Sequence, residues 1–312
     1  MNRIVIVGGG AMGGVFAAAI SESGRPTTIV DVSPLVLGAI EHDGLRLTTA
    51  EGERSVVVAA TADPASVGPA DIVLVFVKAA HTRSVAGTLG SLIGPGTVVA
   101  SLQNGWGNAD ILAESVPPEQ LVVGVTYHSA TVVSPGHVRH TGRGPTFVGP
   151  YRDGDPLDAA DRVAAALQAA GLDVTAAADV KREVWRKLVL NAATLPVASL
   201  SLLRAGQLGE PGPLRDLVDG LASEAVSVAR ALGHDIDTTE RIERIHAVLA
   251  GAGDGKPSML QDVEARRLTE IDTINGAVAK AAASVGLEAP LSAAMTALVH
   301  GLEQSWRREE GA

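Results

Sequence analysis

The stretch IVIVGGGAMGGVFAAAI, residues 4–20, decides the fold of the first half of the chain. Four apolar residues typical of a buried strand lead into Gly8, Gly10 and Gly13, in G-x-G-x-x-G order, and an apolar run typical of a helix follows. Glycine permits the tight turn and the close backbone approach, and the helix N-terminus presents N–H groups to a pyrophosphate. We therefore predict a dinucleotide site, with an ordinary tight turn as the alternative.

The second predicted strand ends in TIVD, which places Asp31 18 residues after Gly13. A carboxylate at this point can accept hydrogen bonds from both ribose hydroxyls and would repel a 2′-phosphate. This favours NAD(H) over NADP(H) as the cofactor. A helix N-cap or a solvated loop carboxylate is the competing interpretation of Asp31.

Short β-branched runs alternate with helical patterns through the first half, which is typical of βαβ units and a parallel sheet. The predicted strands are residues 4–7, 27–31, 71–77, 97–102 and 121–127. Several are apolar without alternation, as expected for strands covered on both faces. The Gly- and Pro-punctuated segment 134–150 indicates antiparallel hairpins instead of another crossover.

After about residue 179 the strand signals stop and apolar residues recur at helical spacing. Helices are expected near residues 183–195, 214–232, 237–250, 258–285 and 290–307. We therefore predict an α/β protein: a Rossmann-type, doubly wound dinucleotide-binding domain at residues 1–178, then an all-helical domain for substrate and dimerisation at residues 179–312. The boundary rests on the change of periodicity.

Composition narrows the classes of function. The net charge is −10, which argues against general affinity for nucleic acid or anionic membranes. The chain has no Cys, which excludes thiol nucleophiles and Cys-based zinc sites. The apolar runs are too short for a signal peptide or a membrane span, so a soluble, cytoplasmic protein is expected.

Two polar residues stand where predicted strands end. Lys78 follows DIVLVFV, and Asn104 follows TVVASLQ. In doubly wound sheets, ligands bind at the carboxyl ends of the strands, so both should lie on the same rim as Gly10 and Asp31. A solvated loop lysine and a turn asparagine are the alternatives. The predicted cofactor-binding residues are Gly8, Gly10, Ala11, Met12, Gly13, Asp31, Lys78 and Asn104.

The glycine loop, VLVFVKA, SLQNG, EVWRKLVLNA and SMLQDVEARRLTEIDTINGAV together resemble the ketopantoate reductase (2-dehydropantoate 2-reductase) family, within the superfamily similar to 6-phosphogluconate dehydrogenase. The resemblance spans essentially the full length. It implies reduction of a 2-keto acid by a nicotinamide cofactor, 2-dehydropantoate to (R)-pantoate above all, and a place in pantothenate biosynthesis. It does not settle the oligomeric state, although helical second domains of this kind commonly form dimers.

Carried over by motif, the resemblance implies that Lys187 is the general acid and that Glu270 is its acidic partner. Asn104, Asn191 and Ser258 become substrate contacts, and Lys78 a contact at the cleft mouth. The chemistry agrees, because hydride addition to a ketone develops negative charge on oxygen, where a proton donor is needed. A snorkelling lysine and a solvated helix-face carboxylate are the alternatives for Lys187 and Glu270.

Three positions depart from the family pattern. Leu195 and Gly255 stand where the family's commonly studied members carry Asn. Val32 follows Asp31 where those members use Arg for an NADP 2′-phosphate. The departures favour NAD(H) and keep open an NAD-dependent D-2-hydroxyacid dehydrogenase acting on a more apolar 2-keto acid. A non-catalytic NAD-binding module is the distant alternative.

Two further features of the sequence leave alternatives open. Ser258 begins S-M-L-Q, a capping-box pattern that predicts a helix start. On one straight helix, Glu270 would lie about 18 Å from Ser258, too far for one small keto acid to touch both.

His128, His137 and His140 include an H-x-x-H pair, but no third ligand stands at recognisable spacing, so no metal is expected.

Overall fold

A computed structural model describes residues 3–310, with side chains described as far as residue 306. The described chain divides into two units. The first contains the residues up to Gln103 together with Asn108–Lys181, and the second contains Asn104–Gly107 and the residues from Arg182 onward. The predicted boundary at 178/179 lies close to the division between Lys181 and Arg182, but the assignment of the four residues after Gln103 to the second unit was not predicted.

The first unit alternates strands and helices. In chain order its elements are β1 Ile4–Val7, α1 Ala11–Glu22, β2 Thr27–Val30, α2 Pro34–Asp43, β3 Leu45–Thr49, β4 Gly52–Val56, β5 Ala59–Thr61, β6 Ile72–Val75, α3 Thr82–Ala86, β7 Val98–Ser101, α4 Asn108–Leu112, β8 Leu121–Thr126, β9 Ser129–Ser134, β10 His137–Gly142, β11 Thr146–Pro150, α5 Asp158–Gln168 and β12 Val174–Ala176. Each of the five predicted strands is present within its predicted range.

The main sheet of this unit has eight strands in the order β12-β11-β8-β7-β6-β1-β2-β5. All neighbouring pairs are parallel except β8 with β11. The chain winds outward in both directions from β1 and β6, and both strands are fully buried. The predicted doubly wound sheet is therefore confirmed, and its switch point lies between β1 and β6, where such sheets bind ligands.

A second sheet of four strands has the order β4-β3-β10-β9. The strands β9 and β10 form an antiparallel pair, and β11 pairs antiparallel with β8, which confirms the expectation for residues 134–150. The hairpin of β3 and β4 was not predicted. Both strands are short, β4 is exposed except at Val56, and in β3 only the alternate side chains Leu45 and Leu47 are buried, so the apolar signal is weak.

The described residues after β12 form no strand, as predicted. Their helices are α6 Val180–Ser201, α7 Ala205–Leu208, α8 Pro213–Ala231, α9 Thr238–Ala252, α10 Ser258–Glu264, α11 Asn275–Ser284 and α12 Pro290–Glu310. The apolar faces of these helices enclose one core that includes Trp185, Leu195 and Leu221. None of the described helices is both long and apolar enough to span a bilayer.

The single helix predicted over residues 258–285 is wrong. The first helix, α10, ends at Glu264, and a 3₁₀ turn, Ile271–Thr273, precedes α11. Arg266 adopts a left-handed conformation with φ of 49°, and the Arg267 N–H donates to the Asp262 carbonyl. The Arg267 guanidinium also donates to the Asp262 carboxylate, which stabilises the break. The distance estimate along one straight helix from Ser258 to Glu270 therefore does not apply.

Candidate active site

The glycine loop joins β1 to α1 and admits no larger residue at two positions. Gly8 has φ of +103°, and a Cβ on it would lie 2.9 Å from the Val77 nitrogen. A Cβ on Gly13 would lie 1.9 Å from the Gly8 carbonyl oxygen. The loop therefore needs Gly8 for its backbone conformation and Gly13, in the first turn of α1, for close packing of that helix against Gly8.

The mouth of this loop is open to a ligand. Gly10 is the N-cap of α1 without a side-chain cap, and a Cβ on it would meet no atom within 4 Å. Ala11 and Met12 begin the helix, whose first N–H groups have no partner within the helix itself. These N–H groups and the open space at Gly10 fit a pyrophosphate, as the dinucleotide prediction requires.

Asp31 directly follows β2 and braces the glycine loop. Its Oδ2 accepts from the Gly9 N–H at 2.7 Å, and its Oδ1 accepts from the Ser33 N–H at 2.8 Å. Ser33, and not Asp31, is the N-cap of α2. Each carboxylate oxygen has a second lone pair, so both can still accept from a ribose hydroxyl. The next side chain, Val32, is 88% exposed and brings no positive charge for a 2′-phosphate.

Lys78 lies three residues beyond Val75, where β6 ends. Because β6, β1 and β2 are neighbouring parallel strands, Lys78 follows the same edge of the sheet as Gly10 and Asp31. It is exposed and immediately precedes a 3₁₀ turn. The predicted position of Lys78 at this edge of the sheet is consistent with the structure. Contact of Lys78 with a cofactor stays a prediction.

Asn104 follows β7 in sequence but belongs to the second unit. Its segment is anchored there by the Trp106 N–H, which donates to the Thr273 carbonyl at 2.8 Å, and by the Trp106 ring, 5.4 Å from that of Trp185. Gly105 fits so tightly that a Cβ would lie 2.4 Å from the Thr273 carbonyl oxygen. Sequence reasoning missed this anchor, for which the only local signal was a tryptophan directly after Asn-Gly.

Lys187 lies on α6, and its Nζ donates to Asn104 Oδ1 at 2.7 Å. Burial lowers the pKa of Lys187 to about 8, because the charged ammonium is poorly solvated, and the negative charge of Glu270 opposes this shift. Glu270 is itself only 8% exposed, in the turn before α11. The structure therefore brings Asn104, Lys187 and Glu270 into one electrostatic site within the second unit.

Asn191 lies one turn after Lys187 on α6 and is 8% exposed. Its side-chain amide makes no hydrogen bond within the described part of the chain, and a buried amide normally has partners. Because this buried amide lies four residues from a buried lysine on the same helix, it is suited to bind a polar group of a ligand. Asn191 as a substrate contact stays a prediction that this environment supports.

The predicted helix start is confirmed, because α10 begins at Ser258, but Ser258 is not the cap of that helix. Pro257 is the N-cap and provides no side-chain cap, and Ser258 is the first helical residue. Gln261 donates instead to the Lys256 carbonyl at 2.9 Å. The Ser258 side chain is exposed, and its role as a substrate contact stays a prediction.

Two of the departures from the family pattern lie in different surroundings. Leu195 is buried in the helical core, so an apolar group replaces an amide there. Gly255 is exposed, and its carbonyl accepts from the Ala205 N–H at 3.1 Å. Neither position provides a side-chain hydrogen bond.

The histidines do not form a metal centre in the described chain. His128 Nδ1 and His140 Nε2 are 2.8 Å apart, while His137 pairs with the Thr48 hydroxyl, so the two residues of H-x-x-H have different partners. Burial lowers the pKa of His128 to about 4, and its neutral ring meets Phe16 edge-on. The described residues hold no group of three or more His, Asp or Glu placed for a metal.

A doubly wound sheet with a dinucleotide loop, followed by an all-helical unit with a buried lysine, defines a class: the NAD(P)-dependent oxidoreductases. Residues 4–153 match the family model described as ketopantoate reductase PanE/ApbA, and residues 179–303 match its C-terminal model. The chain therefore belongs to the ketopantoate reductase family, as the sequence motifs indicated, and is an NAD(P)-dependent oxidoreductase.

Relatives cover nearly the whole chain. A 2-dehydropantoate 2-reductase from Halobacterium salinarum is 33% identical over 95% of this chain and 97% of its own length. The enzyme of that name from Archaeoglobus fulgidus is 32% identical over 97% of this chain and 98% of its own length.

Solved structures of two kinds share the fold. The ternary structure of D-mandelate dehydrogenase with NADH and anilino(oxo)acetate has a TM-score of 0.91 at 27% identity, covering 97% of this chain and 98% of that one. A PanE/ApbA family ketopantoate reductase from Ralstonia eutropha has a TM-score of 0.87 at 30% identity, covering 98% and 99%.

Proposed function

We propose that the protein reduces a 2-keto acid, 2-dehydropantoate to (R)-pantoate in the first instance, with Lys187 as the general acid. The observation that carries this proposal is the ammonium of Lys187, bonded to Asn104 and electrostatically coupled to Glu270. Because the pKa of Lys187 is about 8, this residue is protonated in roughly ten of every eleven protein molecules at pH 7. Lys187 is therefore mostly charged at neutral pH. Because neutral pH lies only about one unit below its pKa, the ammonium can also release its proton readily.

A nicotinamide cofactor bound at the glycine loop would supply a hydride to the carbonyl carbon of the keto acid. As the carbonyl carbon accepts that hydride, its oxygen takes the proton from Lys187 Nζ and becomes the hydroxyl of the product. Asn104 accepts from the ammonium through its side-chain carbonyl oxygen and so orients the proton donor. Glu270 stabilises the charged lysine, and Asn191 and Ser258 bind the polar groups of the substrate.

For the cofactor we propose NAD(H). Asp31 lies at the end of β2 with lone pairs available to a ribose, and the exposed Val32 provides no cation for a 2′-phosphate. Gly8, Gly10, Ala11, Met12 and Gly13 would hold the pyrophosphate, and Lys78 the cofactor or substrate at the sheet edge. NADP(H) is the alternative typical of the family.

A second substrate class is favoured by Leu195 and Gly255, which lack the amides expected for a hydroxylated keto acid. D-mandelate dehydrogenase, a structural neighbour, was solved with NADH and anilino(oxo)acetate, in which an aromatic anilino group is attached to an oxoacetate. An NAD-dependent D-2-hydroxyacid dehydrogenase acting on an apolar 2-keto acid is therefore the second candidate. A buried proton donor argues against a module that binds NAD without chemistry.

The test is a steady-state assay of NADH and NADPH against 2-dehydropantoate and a panel of apolar and aromatic 2-keto acids. The first candidate requires 2-dehydropantoate to have the highest kcat/KM. A higher value for an apolar keto acid would establish the second candidate. A strong preference for NADPH would refute the role of Asp31, and cofactor binding without turnover of any keto acid would refute catalysis.

A further inference from the structure

The helix that carries Lys187 contains a proline in its interior. Pro196 lies within α6 and has no N–H, so the bond that residue 196 would donate to the Ala192 carbonyl cannot form. Ala192 directly follows Asn191 and is buried. A buried carbonyl needs a partner from elsewhere in the fold.

Asn275 supplies that partner. Its Nδ2 donates to the Ala192 carbonyl oxygen at 3.0 Å across 83 residues of sequence, and its side chain is 0% exposed. Its Oδ1 is buried and has no partner in the described chain. Since Oδ1 of Asn275 has no partner, the polar contact that fixes this side chain is the bond from Nδ2 to the Ala192 carbonyl on α6.

Asn275 is the first residue of α11 and directly follows the turn that carries Glu270. The Glu270 carbonyl accepts from the N–H groups of Thr273 and Ile274, both at 3.1 Å, and Asn275 is the next residue. The Thr273 hydroxyl adds a further bond to the same carbonyl at 3.2 Å. Because these bonds connect Glu270 to the residues just before Asn275, the amide of Asn275 joins the backbone of this turn to that of α6.

We propose that Asn275 is a positioning residue, which fixes the turn bearing Glu270 to α6 by donating to the carbonyl that Pro196 leaves without a helical partner. The inference rests on the proposed roles of Lys187 and Glu270. Asn275 touches neither substrate nor cofactor in this scheme. It keeps the carboxylate at the distance from which its charge acts on the ammonium.

Replacing Asn275 with Ala in the native protein and in the P196A variant distinguishes an effect on the position of Glu270 from an effect on stability alone. In the native background, N275A leaves a buried carbonyl unsatisfied and frees the turn. In a P196A background, residue 196 regains its N–H and α6 satisfies Ala192 itself, but the turn is still released. P196A alone is the matched control for loss of the proline.

We expect N275A to lower the melting temperature more in the native background than beside P196A. In both backgrounds it should lower kcat/KM for the keto acid by at least about tenfold. In both it should also lower the pKa of Lys187, because the field of Glu270 weakens. If N275A is too unstable to purify, the comparison of P196A with P196A/N275A still decides the question.

The pKa of Lys187 is measured directly, by the pH dependence of its trace acetylation with acetic anhydride and mass spectrometry of the peptide. This measurement needs no turnover, so it separates failure of the inference from failure of the proposed function. An unchanged pKa of Lys187 and an unchanged kcat/KM in P196A/N275A would overturn the positioning role. Inactivity of the native protein on every keto acid would instead refute the proposed function.

Discussion

The pH dependence of reduction tests the state of Lys187. An exposed lysine with the ordinary pKa of 10.5 would stay protonated across the neutral and mildly alkaline range, whereas burial lowers the pKa of Lys187 to about 8. Raising the pH from about 7 to about 9 should then reduce the protonated fraction roughly tenfold. Since reduction needs the ammonium, kcat/KM for the keto acid should fall by the same factor as pH rises through 8.

The reverse reaction should show the opposite pH dependence. Oxidation of the hydroxy acid needs the neutral amine as base, so its kcat/KM should rise over the interval in which that of reduction falls. Both directions are followed by NADH absorbance at constant ionic strength. Burial lowers the pKa of Lys187 and the charge of Glu270 raises it. Glu270→Gln should therefore lower the pKa of Lys187 further and shift the pH profiles of reduction and oxidation to lower pH. A reduction rate that changes less than about twofold across this range would refute Lys187 as the proton donor.

Further expectations concern single residues and metal. Lys187→Ala should keep the fold and cofactor affinity but lower turnover by at least about 10²; near-normal turnover, or an equal loss in the exposed control Lys280→Ala, would contradict the role. Asp31→Ala should weaken NADH binding about tenfold or more, with a smaller effect on NADPH, in a fluorescence titration; equal effects on the two would argue against ribose recognition. Leu195→Asn should raise kcat/KM for 2-dehydropantoate relative to an apolar keto acid about tenfold, and Leu195→Ala, which adds no amide, should not; an unchanged ratio would exclude this position from specificity. Treatment with a chelator should leave activity unchanged, and a loss restored by added metal would disprove metal independence.

Much of the first unit follows from local sequence. The five predicted strands and the glycine loop were found because their signals, apolar runs and glycine spacing, extend over only a few residues. The hairpin of β3 and β4 was missed because both strands are short, β4 is mostly exposed, and only two residues of β3 are buried. The uninterrupted helix over 258–285 was wrong because the bonds between Asp262 and Arg267 compete with helix continuation in a way that apolar periodicity does not register.

The identities of the site residues came from motifs, but their relations did not. Lys187, Asn104 and Glu270 were each singled out in sequence. Their assembly depends on Trp106, which anchors the short segment of Asn104 in the helical unit, and on the turn before α11. Asn275 was not singled out, because the predicted helix ended at residue 195; only the structure shows that α6 continues past Pro196 and leaves a carbonyl in need of a donor.

By itself, the sequence determined the dinucleotide loop, the parallel strands and the helical second half, because each depends on backbone conformation and side-chain period over neighbouring residues. Tertiary structure decided which unit holds Asn104, where the long helix breaks, and which amide satisfies Ala192. The bonds from Lys187 to Asn104 and from Asn275 to Ala192 each span 83 residues. Contacts so distant along the chain arise from packing of the whole helical core, which no local pattern encodes.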